Sequence, residues 1–186
     1  MSISILPAKK VIVPLLAGIF LLQGCAVTAK DAALKYTTHN FASLCYGGVT
    51  NVRITYAGSG HEICTRGPGL EKAPADATRV PGFVSGSYKA FTGMVQMKWR
   101  TRDGSELSHA IDLNKEITDR RIPYDHPERV LSTDPLRGGE PTVIVEVNDR
   151  TANVYVAATL KVNSLDPAKR TVDYVDSYRL VYSRTL

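Results

Sequence analysis

Apolar and polar residues alternate with a period of two along most of the chain beyond residue 41. In Met94 to Arg100, Val95, Met97 and Trp99 fall on one face, and Gln96, Lys98 and Arg100 on the other. Successive strand side chains point to opposite sides, so this pattern predicts a strand with one face buried and one in water. Asp103-Gly104 predicts a hairpin turn. Glu106 to Leu113 then returns with Leu107, His109, Ile111 and Leu113 together. A second hairpin sets Thr142 to Val147, with Val143, Val145 and Val147 aligned, against Asn153 to Val162, with Val154, Val156, Ala158, Leu160 and Val162 aligned. Asn148-Asp149-Arg150 supplies its turn. A turn near Ser164 to Lys169, holding Pro167, leads to a last strand over Thr171 to Arg184. There Val172, Tyr174, Tyr178, Leu180 and Tyr182 share a face that Asp176 interrupts. Nearer the start, Val52, Ile54 and Tyr56 share another face. Short strands parted by Gly, Pro, Asn and Asp turns, with no amphipathic helix beyond two turns, predict an all-β fold. The expected architecture is an antiparallel β-sandwich, with a partly closed barrel as the alternative.

Two segments break the alternation. Gly67 to Pro81 holds three prolines and reads as a loop, and Gly58-Ser59-Gly60 and Gly138-Gly139 read as turns. The longer break, Asn114 to Pro141, exceeds what a bare connection needs, and such loops are usually functional or disordered. Ile117, Ile122, Tyr124, Val130 and Leu131 argue that it packs on the sheets. Arg120, Arg121, Tyr124, Asp125, His126 and Arg129 are its candidate partner-binding residues. Arginine forks bind carboxylates through two parallel hydrogen bonds, and tyrosine adds contact area at small entropic cost. The competing reading is a loop that caps one end of the sandwich. Other places for an interface are the Gly67–Pro81 loop and the sheet face carrying Gln96, Lys98 and Arg100.

The first residues follow a different rule. Lys9 and Lys10 precede an apolar run from Val11 to Leu22, which closes on Leu22-Gln23-Gly24-Cys25. The run is shorter than the ~20 residues of a membrane span and contains Pro14. This layout resembles a bacterial lipoprotein signal. The resemblance implies removal of residues 1–24 and lipid, palmitate included, on Cys25. Residues 25–40 would then be a tether, with a short helix at Lys30 to Lys35, and residues 41–186 the folded domain. Ala26 stands where an Asp would mark inner-membrane retention, so the implied location is the outer membrane, facing the periplasm. Each buried methylene is worth about 0.8 kcal/mol, so several acyl chains would hold the domain on a bilayer almost permanently.

Cleavage before Cys25 leaves 162 of the 186 residues, a size that suits one domain with a sizeable core. It removes two lysines, leaving 21 basic against 18 acidic residues, a net charge of about +3. The excess is scattered, unlike the clustered basic face of a nucleic-acid binder. In an oxidising compartment Cys45 and Cys64 are expected to form a disulfide. Free thiols are the second reading, and a metal site with His61 and His39 the third, although CxxC and HExxH spacings are missing. No cofactor or metal is expected.

Enzyme signatures are thin. Asp125-His126 with Glu128 could do acid–base work, and Ser132 is near in sequence, but no Gly-x-Ser-x-Gly elbow exists. His109 reads as a histidine at the edge of the core. Trp99-Arg-x-x-Asp-Gly104 and Val145-x-Val-x-Asp-Arg-x-x-x-Val-Tyr155 are similar to hairpins of lipoproteins of type VI secretion gene clusters, some of which are effector-immunity proteins. With the thin enzyme signatures and the lipid box, that resemblance implies a lipid-anchored module, not an enzyme, that binds a periplasmic protein such as a toxic effector. The alternative is a structural or assembly lipoprotein of an envelope secretion or pilus machine.

Overall fold

The computed structural model describes residues 31–117, 119–166, 168 and 170–186; the Leu22–Cys25 box and Pro167 lie outside them. Nine strands are present among the described residues: β1 (Thr38–Tyr46), β2 (Thr50–Tyr56), β3 (Ser59–Ile63), β4 (Ser85–Lys89), β5 (Val95–Arg100), β6 (Glu106–Ile111), β7 (Leu136–Asn148), β8 (Thr151–Asn163) and β9 (Val172–Thr185). They form two sheets, ordered β4-β1-β7-β8-β9 and β3-β2-β5-β6. Every pairing is antiparallel except β1 with β7. The fold is therefore an all-β sandwich and not a closed barrel.

The alternating strands behave as their pattern demands. Phe41, Val143, Val145, Val154, Val156 and Leu160 of one sheet meet Val52, Ile54, Tyr56, Val95, Met97 and Trp99 of the other in a single core. Full burial of each aliphatic or aromatic side chain is worth about 1.5–3 kcal/mol. Asp103-Gly104 and Asp149 turn the two expected hairpins, with Gly104 at φ 86° and Asp149 at φ 47°.

Several expectations need correction. The packed domain begins before Phe41: Leu34 and Tyr36 are buried, and β1 opens at Thr38. Residues 31–33 make one helical turn. The turn expected at Gly58-Ser59-Gly60 is centred on Ala57-Gly58, and Ser59 already opens β3. Gly138 and Gly139 are not a turn either. They form an irregularity inside β7, between Arg137 and Thr142, that allows the strand to start at Leu136. Glycine accepts the positive φ such a bulge needs, and Pro141 is tolerated beside it. In β9 the expected shared face is split by a register shift opposite Val154/Tyr155. Tyr178 consequently packs on the outer cluster with Ile144, whereas Tyr182 joins the core between the sheets.

Cys45 in β1 and Cys64 just after β3 form a disulfide, with Cα atoms 6.5 Å apart, that staples one sheet to the other. Replacing both by serine is expected to cost about 2–4 kcal/mol through the freed unfolded chain. Urea midpoints of the oxidised protein and the double variant measure it, and equal midpoints would contradict the expectation.

His39 is fully buried among Tyr36, Tyr56, Tyr88 and Phe91. Its Nδ1 lies 2.9 Å from the Asn40 carbonyl and its Nε2 2.9 Å from the Tyr56 hydroxyl. A carbonyl only accepts, so Nδ1 carries the proton and Nε2 accepts from Tyr56. Burial pushes the imidazole pKa below its ordinary value, against the opposing bond to Asn40 and the charge of Glu140. Burial lowers His61 and His109 as well. A depressed histidine contributes stability that is complete above about pH 6.5 and is lost as pH falls toward the folded value. Unfolding free energy should therefore fall from pH 7.5 to pH 5, with a shallower slope in His39→Phe. An unchanged slope in that variant would exclude His39 as the source.

Candidate functional site

The loop after β6 is held from both ends. The Asp112 carboxylate accepts from the Asn114 N–H, 3.1 Å away, and caps the single helical turn α1 (Leu113–Glu116). Ile117 and Ile122 are buried, the Ile122 N–H donates to the Leu34 carbonyl at 3.0 Å, and the Tyr36 N–H donates to the Arg120 carbonyl at 3.0 Å. Val130 is buried and bridges to Val162 in β8. The loop is thus folded into the sandwich and not merely laid over it.

Its candidate side chains are drawn into that packing. Arg121 pairs with Asp31 at 2.7 Å. Arg120 donates to the Asn114 side-chain oxygen at 3.1 Å, and its guanidinium lies 6.0 Å from the Phe91 ring centre. Asp125 pairs with Arg179 of β9, and Arg129 donates to the Asn163 carbonyl at 3.2 Å. Tyr124 is half-buried against the core and meets the His126 ring edge-on at 6.1 Å. His126 Nδ1 stands 3.4 Å from Glu128, both exposed. The structure brings together Tyr124 with His126 and Arg121 with the N-terminal turn, and commits most of the remaining candidates to bonds within the chain. A Tyr124→Ala, Arg121→Ala variant would consequently perturb folding and binding together.

A second segment, 64–84, emerges from the structure with more surface to offer. It leaves the disulfide at Cys64 and is tied to the β1–β2 turn: the Gly69 N–H donates to Val49 at 2.8 Å, Gly48 to Gly69 at 2.9 Å and Gly47 to Leu70 at 2.9 Å. Glycine is required at 69 by proximity, since a Cβ there would lie 2.9 Å from the Cys45 carbonyl oxygen. The segment then runs over the outer face of the five-stranded sheet and inserts Lys72. Lys72 Nζ lies 2.6 Å from Glu146 and 3.2 Å from the Tyr155 hydroxyl. Glu146 is fully buried and also accepts from the Asn153 amide at 3.0 Å and from Tyr155 at 3.3 Å. Burial works against the lysine charge, but the hydrogen bonds to Glu146 and Tyr155 outweigh it and hold the Lys72 pKa above its ordinary value.

Although anchored in this way, the segment leaves Leu70 81% and Phe83 77% exposed, with Val80 and Val84 exposed beside them in sequence. Sequence reading named the Gly67–Pro81 loop only as an alternative interface and singled out none of these apolar side chains. The signal was there, apolar side chains inside a Pro- and Gly-rich stretch, but nothing in the pattern distinguishes a tied segment from a loose one. A cleft of ≈ 610 Å³ opens on the same sheet face, lined by Val80, Arg137, Thr142, Thr159 and Tyr178 among others. Several of its polar walls are already paired: Thr159 donates to Asp176, Ser87 to Glu140, and Arg179 to Asp125. Comparison with protein families, curated proteins and solved structures finds nothing that matches this chain.

Proposed function

We propose that this is a lipid-anchored binding module that works without turnover on a periplasmic protein, acting as an immunity or inhibitor protein against a secreted antibacterial effector. One observation carries the binding part of the reading. Residues 64–72 are fixed by a disulfide, by backbone hydrogen bonds and by the Lys72–Glu146 pair, yet they hold Leu70 in water, and Phe83 is exposed further along the same segment. Ordered backbone that keeps large apolar side chains exposed is the usual make-up of a recognition surface. The anchor part rests on the Leu22–Cys25 box and the immunity part on the hairpin resemblance.

Two experiments test it. Radiolabelled palmitate should enter the wild-type protein and not Cys25→Ala, which should leave the membrane fraction. Cells deleted for this protein should lose viability when grown in contact with parental cells and recover it when the gene is restored. Equal survival of the deletion strain would exclude immunity. Co-purification in a large envelope assembly would then favour the structural role.

A further inference from the structure

We propose that the end of the sandwich built round Leu70 faces away from the bilayer and is where a soluble protein partner docks, an inference that rests on the lipid-anchored binding reading above. Two ends of the fold are defined by bonds. The chain enters at the turn beginning with Asp31, which is tied down by the Asp31–Arg121 pair, the Lys35–Arg121 bridge and the Tyr36–Arg120 hydrogen bond. With lipid on Cys25, the six residues 25–30 separate the anchor from Asp31, and even fully extended they reach about 20 Å. This end therefore lies no further than about 20 Å from the anchor. From Thr38 to Tyr46, β1 carries the chain about 26 Å further at the usual rise per residue. Gly47, just beyond it, donates to the Leu70 carbonyl.

At that far end the turns lock one another. The Arg102 N–H donates to the Asp149 carboxylate at 3.1 Å and its side chain to the Gly47 carbonyl at 3.3 Å, while its guanidinium pairs with Glu71. Arg150 pairs with Asp103 at 2.8 Å, and the Cys45–Cys64 disulfide lies directly adjacent in the chain. Leu70 is tied at its own carbonyl, which accepts from Gly47, and at its neighbour Glu71, which pairs with Arg102, while its side chain stays in water. An apolar anchor beside charged groups follows the anatomy of protein interfaces, in which a few desolvated anchors carry most of the energy inside a polar rim. Arg66 is exposed and outside any ion pair among the described residues. The partner that fits is a soluble protein with an apolar pocket for Leu70 and a carboxylate within reach of Arg66. A membrane-embedded partner would meet the other end, near Met94 and Arg120.

The test uses the full-length lipidated protein. With Cys25 acylated and Cys45–Cys64 closed, an introduced cysteine is the single free thiol. Dye at Met94→Cys should transfer energy to a short-range headgroup acceptor in vesicles several-fold more strongly than dye at Arg66→Cys. The reverse order would overturn the orientation. A photoreactive side chain at position 70 should crosslink a soluble protein in cells, and one at position 94 should not. That protein, purified, should bind Leu70→Arg at least thirtyfold more weakly, equivalent to about 2 kcal/mol, with the urea midpoint of the variant unchanged. Crosslinking from 94 and not 70, no adduct at 70, or unchanged affinity of Leu70→Arg each sinks the docking surface. If palmitate does not enter the protein, the anchored reading fails first. If it enters and the dye order reverses, only the orientation fails.

Discussion

Lys72→Met is expected to lower stability by about 3–5 kcal/mol, because it leaves a fully buried carboxylate without its cation. Glu146 would keep the Asn153 amide and the Tyr155 hydroxyl, but neither supplies a charge. Taking ions out of water is costly, and the pair persists because its Coulomb attraction and hydrogen bonds offset that cost. The double variant Lys72→Met, Glu146→Leu should recover most of the loss, since an apolar pair of similar volume removes both the charge and its desolvation. A double-mutant cycle from urea midpoints measures the coupling; independent, additive effects would show that the two residues do not act as a pair. Linkage gives a second check. The Lys72 pKa is held above its ordinary 10.5, so its contribution is complete below that value and is lost only as pH rises through the raised folded value. Lys72→Met should also free the 64–84 segment locally, seen as faster amide exchange at residues 73–80 than at Gly47–Gly48.

What the sequence made legible follows from which strands have one wet face and one dry face. β5 and β2 bury every second residue, and their pattern gave them away. β1 has no such alternation. It lies between β4 and β7, with Phe41 in the main core while Ala42 belongs to the outer cluster. Its sequence THNFASLCY consequently reads as polar and mixed. β4 is five residues long, carries Gly86 and buries nothing fully, so period-two reasoning had nothing to hold. The β9 register shift flips side chains from one face to the other, which only pairing to β8 reveals. The site was less legible than the fold. Lys72 and Glu146 lie 74 residues apart, and Glu146 occupies a position that alternation assigns to water. The Arg120–Arg129 cluster was visible as composition, but composition does not say that Arg121 is turned toward Asp31 and Asp125 toward Arg179.

The second large effect belongs to Trp99, which the alternation placed in the core and which is 2% exposed. Trp99→Ala should cost about 3–5 kcal/mol, the range for large aromatic truncations in close-packed interiors. The ring does more than fill volume. Its Nε1–H donates to the Asp149 carbonyl at 2.7 Å, and Asp149 sits at positive φ in the β7–β8 turn. The same Asp149 accepts from the Arg102 N–H, so one indole joins the β5–β6 end of one sheet to the β7–β8 turn of the other. Trp99→Phe separates the two roles. It keeps most of the apolar area and loses the hydrogen bond, so it should cost less than Trp99→Ala, yet at least the roughly 1 kcal/mol of one buried hydrogen bond. Circular dichroism during urea titration is the suitable measurement, because both variants remove the only tryptophan and with it the fluorescence signal. The midpoint should fall in the order wild type, Phe, Ala, with the slope unchanged. If Trp99→Phe leaves the midpoint where it is, the link to Asp149 contributes nothing and the turn is held by its other bonds, those of Asp149 to Arg102 and Tyr46 and of Arg150 to Asp103. If Trp99→Phe falls as far as Trp99→Ala, the hydrogen bond, and not the packed ring, is what joins the two sheets at the end that carries Leu70.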